Sequence, residues 1–218
     1  MVGLDLANKI EGSLKKLLSQ VYILTILKGR ANVENISTSL SLDKSYIADL
    51  IDKLSVSGLI KKNGRGYILS QKGGKKLKIV LSGGVFDVIH PGHVYTLNES
   101  KKLGDILVIS VARDKTVLLN KGHEPLNNEE GRVKLVSNLK SVDLAILGNE
   151  KDRFKIVEQI KPDIIALGYD QTHNENLFKI EAKRRRLNIK IVRLDSPMPN
   201  IKTSKIVKSK EVFDEFNF

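Results

Sequence analysis

Hydrophobic positions follow two different rhythms along this chain of 218 residues. In the first third they recur every three or four residues, as on one side of a helix. Leu14, Leu17, Leu18, Val21, Ile23 and Leu24 predict an amphipathic helix over Leu4–Leu27, and Ala31–Leu40 a short second one. Ser41-Leu42-Asp43 reads as a turn in which either Ser41 or Asp43 can cap the next helix. Ile47, Leu50, Ile51 and Leu54 place this third helix over Lys44–Ser57, ended by Gly58. Leu59–Lys62 and Tyr67–Leu69 then predict two short strands around Asn63–Gly66.

From residue 78 onward the apolar residues come in short β-branched runs separated by polar segments, the mark of strands covered on both sides. Ile79–Leu81, Ile106–Ala112, Leu144–Leu147, Ile164–Leu167 and Ile189–Leu194 are predicted strands. Helices are expected over Val94–Leu103, Glu129–Leu139 and Asn176–Leu187. This alternation argues for an α/β, Rossmann-like doubly wound parallel sheet of about five strands. Between the two rhythms lies SQKGGKKLK, residues 70–78, a polar lysine-rich join. Two domains are therefore expected, at 1–76 and 77–218.

Composition narrows the chemistry. The absence of Cys removes disulfides and thiolate catalysis, and nothing argues for secretion. Val21–Leu27 is apolar but too short to span a bilayer, and no signal-peptide pattern is present. A cytoplasmic protein with no membrane partner is the expectation. The net charge of +12 points to anionic partners, nucleotides or nucleic acid, although a lysine-rich thermophile surface would look the same. Residues 1–76 hold 13 Lys/Arg against 6 Asp/Glu, and residues 77–218 hold 24 against 19, so the smaller part is the more charge-dense.

The most informative stretch is KIVLSGGVFDVIHPGH, residues 78–93. It predicts a strand, a glycine turn, and the first turn of a helix carrying two imidazoles. Gly83 and Gly84 allow a phosphate to approach the backbone, and the helix start offers unpaired N–H groups. Pro91 suits the first helical position, and His90 and His93, three apart, can face the same way. No Cys and no third ligand accompany the pair, so zinc is disfavoured and no protein metal site is expected. The pattern suits an anionic transition state at phosphorus.

Gly84-Val85-Phe86-Asp87 followed by His90-Pro91-Gly92-His93 resembles the signature of the cytidylyltransferase-like nucleotidyltransferases. Arg113-Asp114-Lys115, Lys121-Gly122-His123, the Arg132 helix start, Gly168-Tyr169-Asp170-Gln171 and Thr203-Ser204-Lys205-Ile206 come after it in the family's order. The resemblance covers about residues 78–208. It implies attack on the α-phosphorus of ATP or CTP by a phosphorylated acceptor, with release of pyrophosphate. His90, His93 and Lys121 would stabilise charge in that reaction. Gly83, Gly84, Val85, Phe86, Asp87, Arg132, Gly168, Asp170, Thr203 and Ser204 would hold the nucleotide. Asp87 would orient the loop rather than act as a base, and could reach a Mg²⁺, while Arg132 is open to two roles, catalysis or bracing its helix. A divalent ion such as Mg²⁺ would ride on the phosphates.

Where glycerol-phosphate-type members carry Arg-Thr, this chain has Pro197-Met198-Pro199-Asn200. The stretches ARDKTV, KGHEPL, EEGRVKLV and KPDIIALGYDQ are similar to archaeal FAD synthases, which implies FMN as acceptor. Cytidylylation of a phospho-alcohol such as glycerol 3-phosphate, and a DNA-binding regulator that senses a nucleotide or flavin, are the alternatives.

The order helix, short helix, helix, hairpin in residues 1–76 resembles a winged helix-turn-helix. On that resemblance Lys44, Ser45, Tyr46 and Lys53 would meet a DNA groove, and Lys61, Lys62 and Arg65 the phosphates. A homodimer on duplex DNA is the corresponding expectation, with a docking or dimerisation module as the rival.

Overall fold

The computed structural model describes residues 2–169 and 175–195, with side chains from residue 11 onward. It divides into two compact units, Met1–Lys78 and Ile79–Phe218.

The first unit is three helices and a hairpin: α1 (Val2–Lys28), α2 (Val33–Leu40), α3 (Lys44–Val56), β1 (Ile60–Asn63) and β2 (Gly66–Leu69). Of the two candidate caps for α3 it is Asp43 that serves, its carboxylate accepting from the Ser45 and Tyr46 amides. Ser41 instead makes the left-handed turn, at φ 54°. Leu18, Val21, Ile36, Ile47 and Ile51 form the core of this unit. The hairpin is fixed to the α1–α2 corner, because Ala31 and Tyr67 exchange backbone hydrogen bonds at 2.9 and 2.7 Å. A side chain at Gly66 would run into the Ala31 carbonyl.

The expected linker is partly helical. A single turn, α4 (Gln71–Gly74), is capped by Ser70, whose hydroxyl accepts from the Gly73 amide. Within this join Gly73 serves close packing, since a Cβ there would sit 1.9 Å from the Leu59 carbonyl oxygen.

The second unit runs β3 (Ile79–Gly84), α5 (Pro91–Lys102), β4 (Ile106–Val111), α6 (Asp114–Lys121), α7 (Glu129–Ser137), β5 (Leu144–Leu147), α8 (Phe154–Ile160), β6 (Ile164–Leu167), α9 (Glu175–Arg184) and β7 (Lys190–Arg193). Its five strands are all parallel, in the order β5-β4-β3-β6-β7. This is the doubly wound α/β sheet predicted, with two additional helices, α6 and α8. Val80, Leu107, Ile109, Val136 and Ala166 lie in its core. The chain works outward from β3 through β4 to β5, then crosses back to lay β6 on the other side of β3. Strand order therefore reverses between β3 and β6. In open parallel sheets ligands bind at the carboxyl ends of the strands beside such a reversal.

Candidate active site

At that edge β3 ends in Gly83 and Gly84. A Cβ on Gly83 would lie 3.1 Å from the Ser110 carbonyl oxygen of β4, so a side chain there would press on the neighbouring strand. A Cβ on Gly84 would be 2.8 Å from the ring of Phe86. Phe86 holds φ at 55°, a left-handed conformation that costs a bulky residue roughly 1–3 kcal/mol. The strain turns its buried ring back under Gly84 and toward His93, with ring centroids 5.2 Å apart.

The two histidines are brought together. His90 is the N-cap of α5, Pro91 takes the first helical position, and the His93 amide donates to the His90 carbonyl at 2.9 Å. Their half-buried rings stack at 3.8 Å, inclined by 25°. The first turn of α5 carries no acidic residue, so the positive end of the helix is not offset there. Beside His90 an open depression is lined by Ile89, Pro91, Val94, Tyr95 and Asn98.

Asp87 is buried and its carboxylate is engaged. Its two oxygens accept from the backbone amides of Leu126 and Asn127, each at 2.9 Å. The Asn127 side chain donates back to the Asp87 carbonyl at 2.8 Å. Asp87 thus ties the segment between α6 and α7 to the glycine loop. Asn127 was not among the expected site residues, and nothing in KGHEPLNNEE sets it apart from its neighbour Asn128.

Of the two readings of Arg132, its contacts are those of a brace. Its side chain is fully buried. Nε donates to the Asn127 carbonyl, Nη1 to that of Val85, and Nη2 to the Ala112 carbonyl and the Asp114 carboxylate, at 2.6–2.9 Å. One guanidinium therefore joins the loops after β3 and β4 to the start of α7. Beside it Arg113 pairs with Glu129 at 2.7 Å and Glu150 at 3.4 Å. The Arg113 guanidinium holds the Glu129 carboxyl below its ordinary value.

Lys121 is the exposed last residue of α6, followed by Gly122 in the left-handed conformation. Gly168 comes directly after β6, next to β3, and its carbonyl accepts from Arg193 at 3.0 Å. Asp170, Thr203 and Ser204 lie outside the described residues. Among the described residues no group of three or more His, Asp or Glu could hold a metal ion. No helix among them is long and apolar enough to cross a membrane.

In the first unit, Lys44 pairs with Glu34 at 2.8 Å and Lys53 with Asp49 at 2.5 Å. Ser45 is held by the Asp43 cap. Tyr46, Lys61, Lys62 and Arg65 are exposed.

The cytidylyltransferase-like family profile matches residues 81–209, more than half of the chain and wholly within the second unit. The chain is 50% identical over 115 residues to the FAD synthase of Aciduliprofundum boonei, covering 53% of this chain and 76% of that protein. It is 49% identical to the FAD synthase of Thermoplasma acidophilum, covering 60% of this chain and 92% of the relative. Among solved structures, a protein from Thermoplasma volcanium described as a lipopolysaccharide core biosynthesis protein superposes with a TM-score of 0.53 at 48% identity. That match covers 55% of this chain and 98% of the other.

Proposed function

The chain belongs to the cytidylyltransferase-like family, and we propose that this nucleotidyltransferase moves the adenylyl group of ATP onto FMN, forming FAD and pyrophosphate. The acceptor is inferred from the FAD synthase relatives. The observation that carries the chemistry is the stacked His90–His93 pair at the start of α5, beside Gly83-Gly84 and the strand-order reversal.

An oxygen of the FMN phosphate attacks the α-phosphorus and forms the new P–O bond. The bond from the α-phosphorus to the α–β bridging oxygen breaks, and pyrophosphate leaves with the electron pair. Little covalent work falls to the protein in such a displacement, so catalysis rests on positioning and on charge stabilisation. His90 and His93 donate to the phosphate oxygens as negative charge grows. The amides at the start of α5 and the glycine loop seat the triphosphate. Lys121, Thr203 and Ser204 complete the phosphate contacts, and Gly168 and Asp170 border the nucleoside.

In this reading the flat ring of FMN lies on the open depression beside His90, with Tyr95 at its side and its phosphate toward the histidines. A divalent ion would ride on the triphosphate, where it would offset charge.

The test is chromatographic product analysis with FMN and ATP, with FMN and CTP, and with glycerol 3-phosphate and CTP, each with Mg²⁺. FAD and pyrophosphate from the first mixture are expected. CDP-glycerol from the third, with no FAD from the first, overturns the assignment of the acceptor.

A further inference from the structure

The family match accounts for nothing in the first unit, whose charge is distributed unevenly. Its six acidic residues, Asp5, Glu11, Glu34, Asp43, Asp49 and Asp52, all precede residue 53. From Lys53 to Lys78 there is no acid, while Lys53, Lys61, Lys62, Arg65, Lys72, Lys75, Lys76 and Lys78 supply eight cations. On α3 the exposed charges offset one another. Lys44 and Lys53 are ion-paired, and Asp49 and Asp52 balance them, leaving the face near neutral. The hairpin is different. Lys61, Lys62 and Arg65 are all exposed, and Arg30 lies against its turn at Gly64 and Gly66.

The basic hairpin is also rigidly mounted. β2 is bonded to β1 on one side and to Ala31 on the other. α3 runs straight into β1, with the Leu59 amide donating to the Leu54 carbonyl at 2.9 Å. α2 and α3 are separated by a three-residue turn, and α3 opens with exposed Ser45 and Tyr46 on its first turn. Lysines on an edge strand also discourage strand pairing between molecules, but that need does not account for Arg65, Arg30 or the acid-free run beyond the hairpin.

We propose that the first unit binds duplex DNA, with the hairpin cations Lys61, Lys62 and Arg65, flanked by Arg30, on the phosphates and the first turn of α3 in the groove. This is a second function of the chain, independent of the nucleotidyl transfer. The division of labour rests on the charges. The hairpin supplies affinity and salt dependence, whereas Tyr46 and Ser45, on a neutral helix, supply whatever sequence preference exists.

The experiment is an anisotropy titration of the full chain with a labelled duplex of about two helical turns, across a salt series beginning near 50 mM. Micromolar binding is expected at the low-salt end. Log affinity should fall linearly with log salt concentration, by about 0.9 for each phosphate contact. Lys61→Ala/Lys62→Ala/Arg65→Ala should reduce that slope by roughly two to three, while FAD formation is unchanged. Tyr46→Ala should leave the slope intact and lower the affinity. Lys179→Ala/Lys183→Ala, on the exposed side of α9, should change neither. Three results overturn the proposal: no duplex binding in the micromolar range, equal loss in the α9 variant, or tighter binding to single-stranded RNA than to duplex DNA. FAD formation is scored separately, so a failure of DNA binding leaves the enzymatic reading standing.

Discussion

Replacing Arg132 by Met separates a brace from a catalyst. The wild-type guanidinium is fully buried and satisfies the Val85, Ala112 and Asn127 carbonyls together with the Asp114 carboxylate. Methionine fills a similar volume and donates nothing, so three carbonyls and a half-exposed carboxylate lose their partner. Removing one side of a buried ion pair costs about 3–5 kcal/mol, and the half-exposure of Asp114 keeps the loss toward the lower end. For a unit of this size that corresponds to a melting-temperature drop of roughly 10 °C or more. Calorimetry of the full chain should show separate transitions for the two units, and the one that ATP raises is the nucleotidyltransferase unit. Arg132→Lys should recover little, because one ammonium cannot reach acceptors spread over three segments. At temperatures where the variant remains folded, much of the turnover should survive. An unshifted transition combined with a loss of turnover by orders of magnitude would refute the bracing role and return Arg132 to the substrate.

His90→Ala and His93→Ala should each lower turnover by about 10²–10³ while barely moving the melting temperature, the loss usual for a charge-stabilising donor. The His90 side chain makes no capping bond to α5, so its removal spares the helix start. Gly84→Ala should slow the reaction at least about tenfold and cost about 1–3 kcal/mol, because the new methyl displaces the Phe86 ring that backs His93. Phe86→Leu in the same chain should restore part of the stability, as read by thermal melts. The Glu129 carboxyl lies below its ordinary 4.5, chiefly because Arg113 donates to it. That stabilisation is complete above about pH 4.5 and is lost as pH falls through the lowered folded value, so Arg113→Met should flatten the acid limb of a melting-temperature profile.

Some of this was legible in the sequence and some was not, for identifiable reasons. The strand–glycine–His-Pro-Gly-His element could be read because its determinants are local: a β-branched run, two small residues, a proline at a helix start. Helices α6 and α8 escaped for different reasons. α6 has no apolar stripe, since it buries only Val117 and leaves Leu118 and Leu119 exposed, whereas α8 does bury Phe154, Ile156, Val157 and Ile160 but is only seven residues long, too short for a helical period to register. Gly73 read as linker because its neighbour, the Leu59 carbonyl, is supplied by a hairpin whose packing no local pattern reveals.

Loop orientation by Asp87 and bracing by Arg132 are both readable as options, but the partners of these residues lie at the far limit of what sequence can convey. Asp87 lies within the glycine–histidine signature and Arg132 in a helix start that follows it in the family's order, where charge suggests contact with substrate. Their partners are backbone amides and carbonyls about 40 residues away along the chain for Asp87, and as many as 47 for Arg132. Main-chain groups are the same at every position, so no choice of side chain advertises them. A buried guanidinium that organises a loop differs from an exposed one that holds a phosphate in whether the fold has already supplied its acceptors. For Arg132 it has supplied all four, which in the proposed mechanism leaves substrate charge to the histidines, the helix start and Lys121.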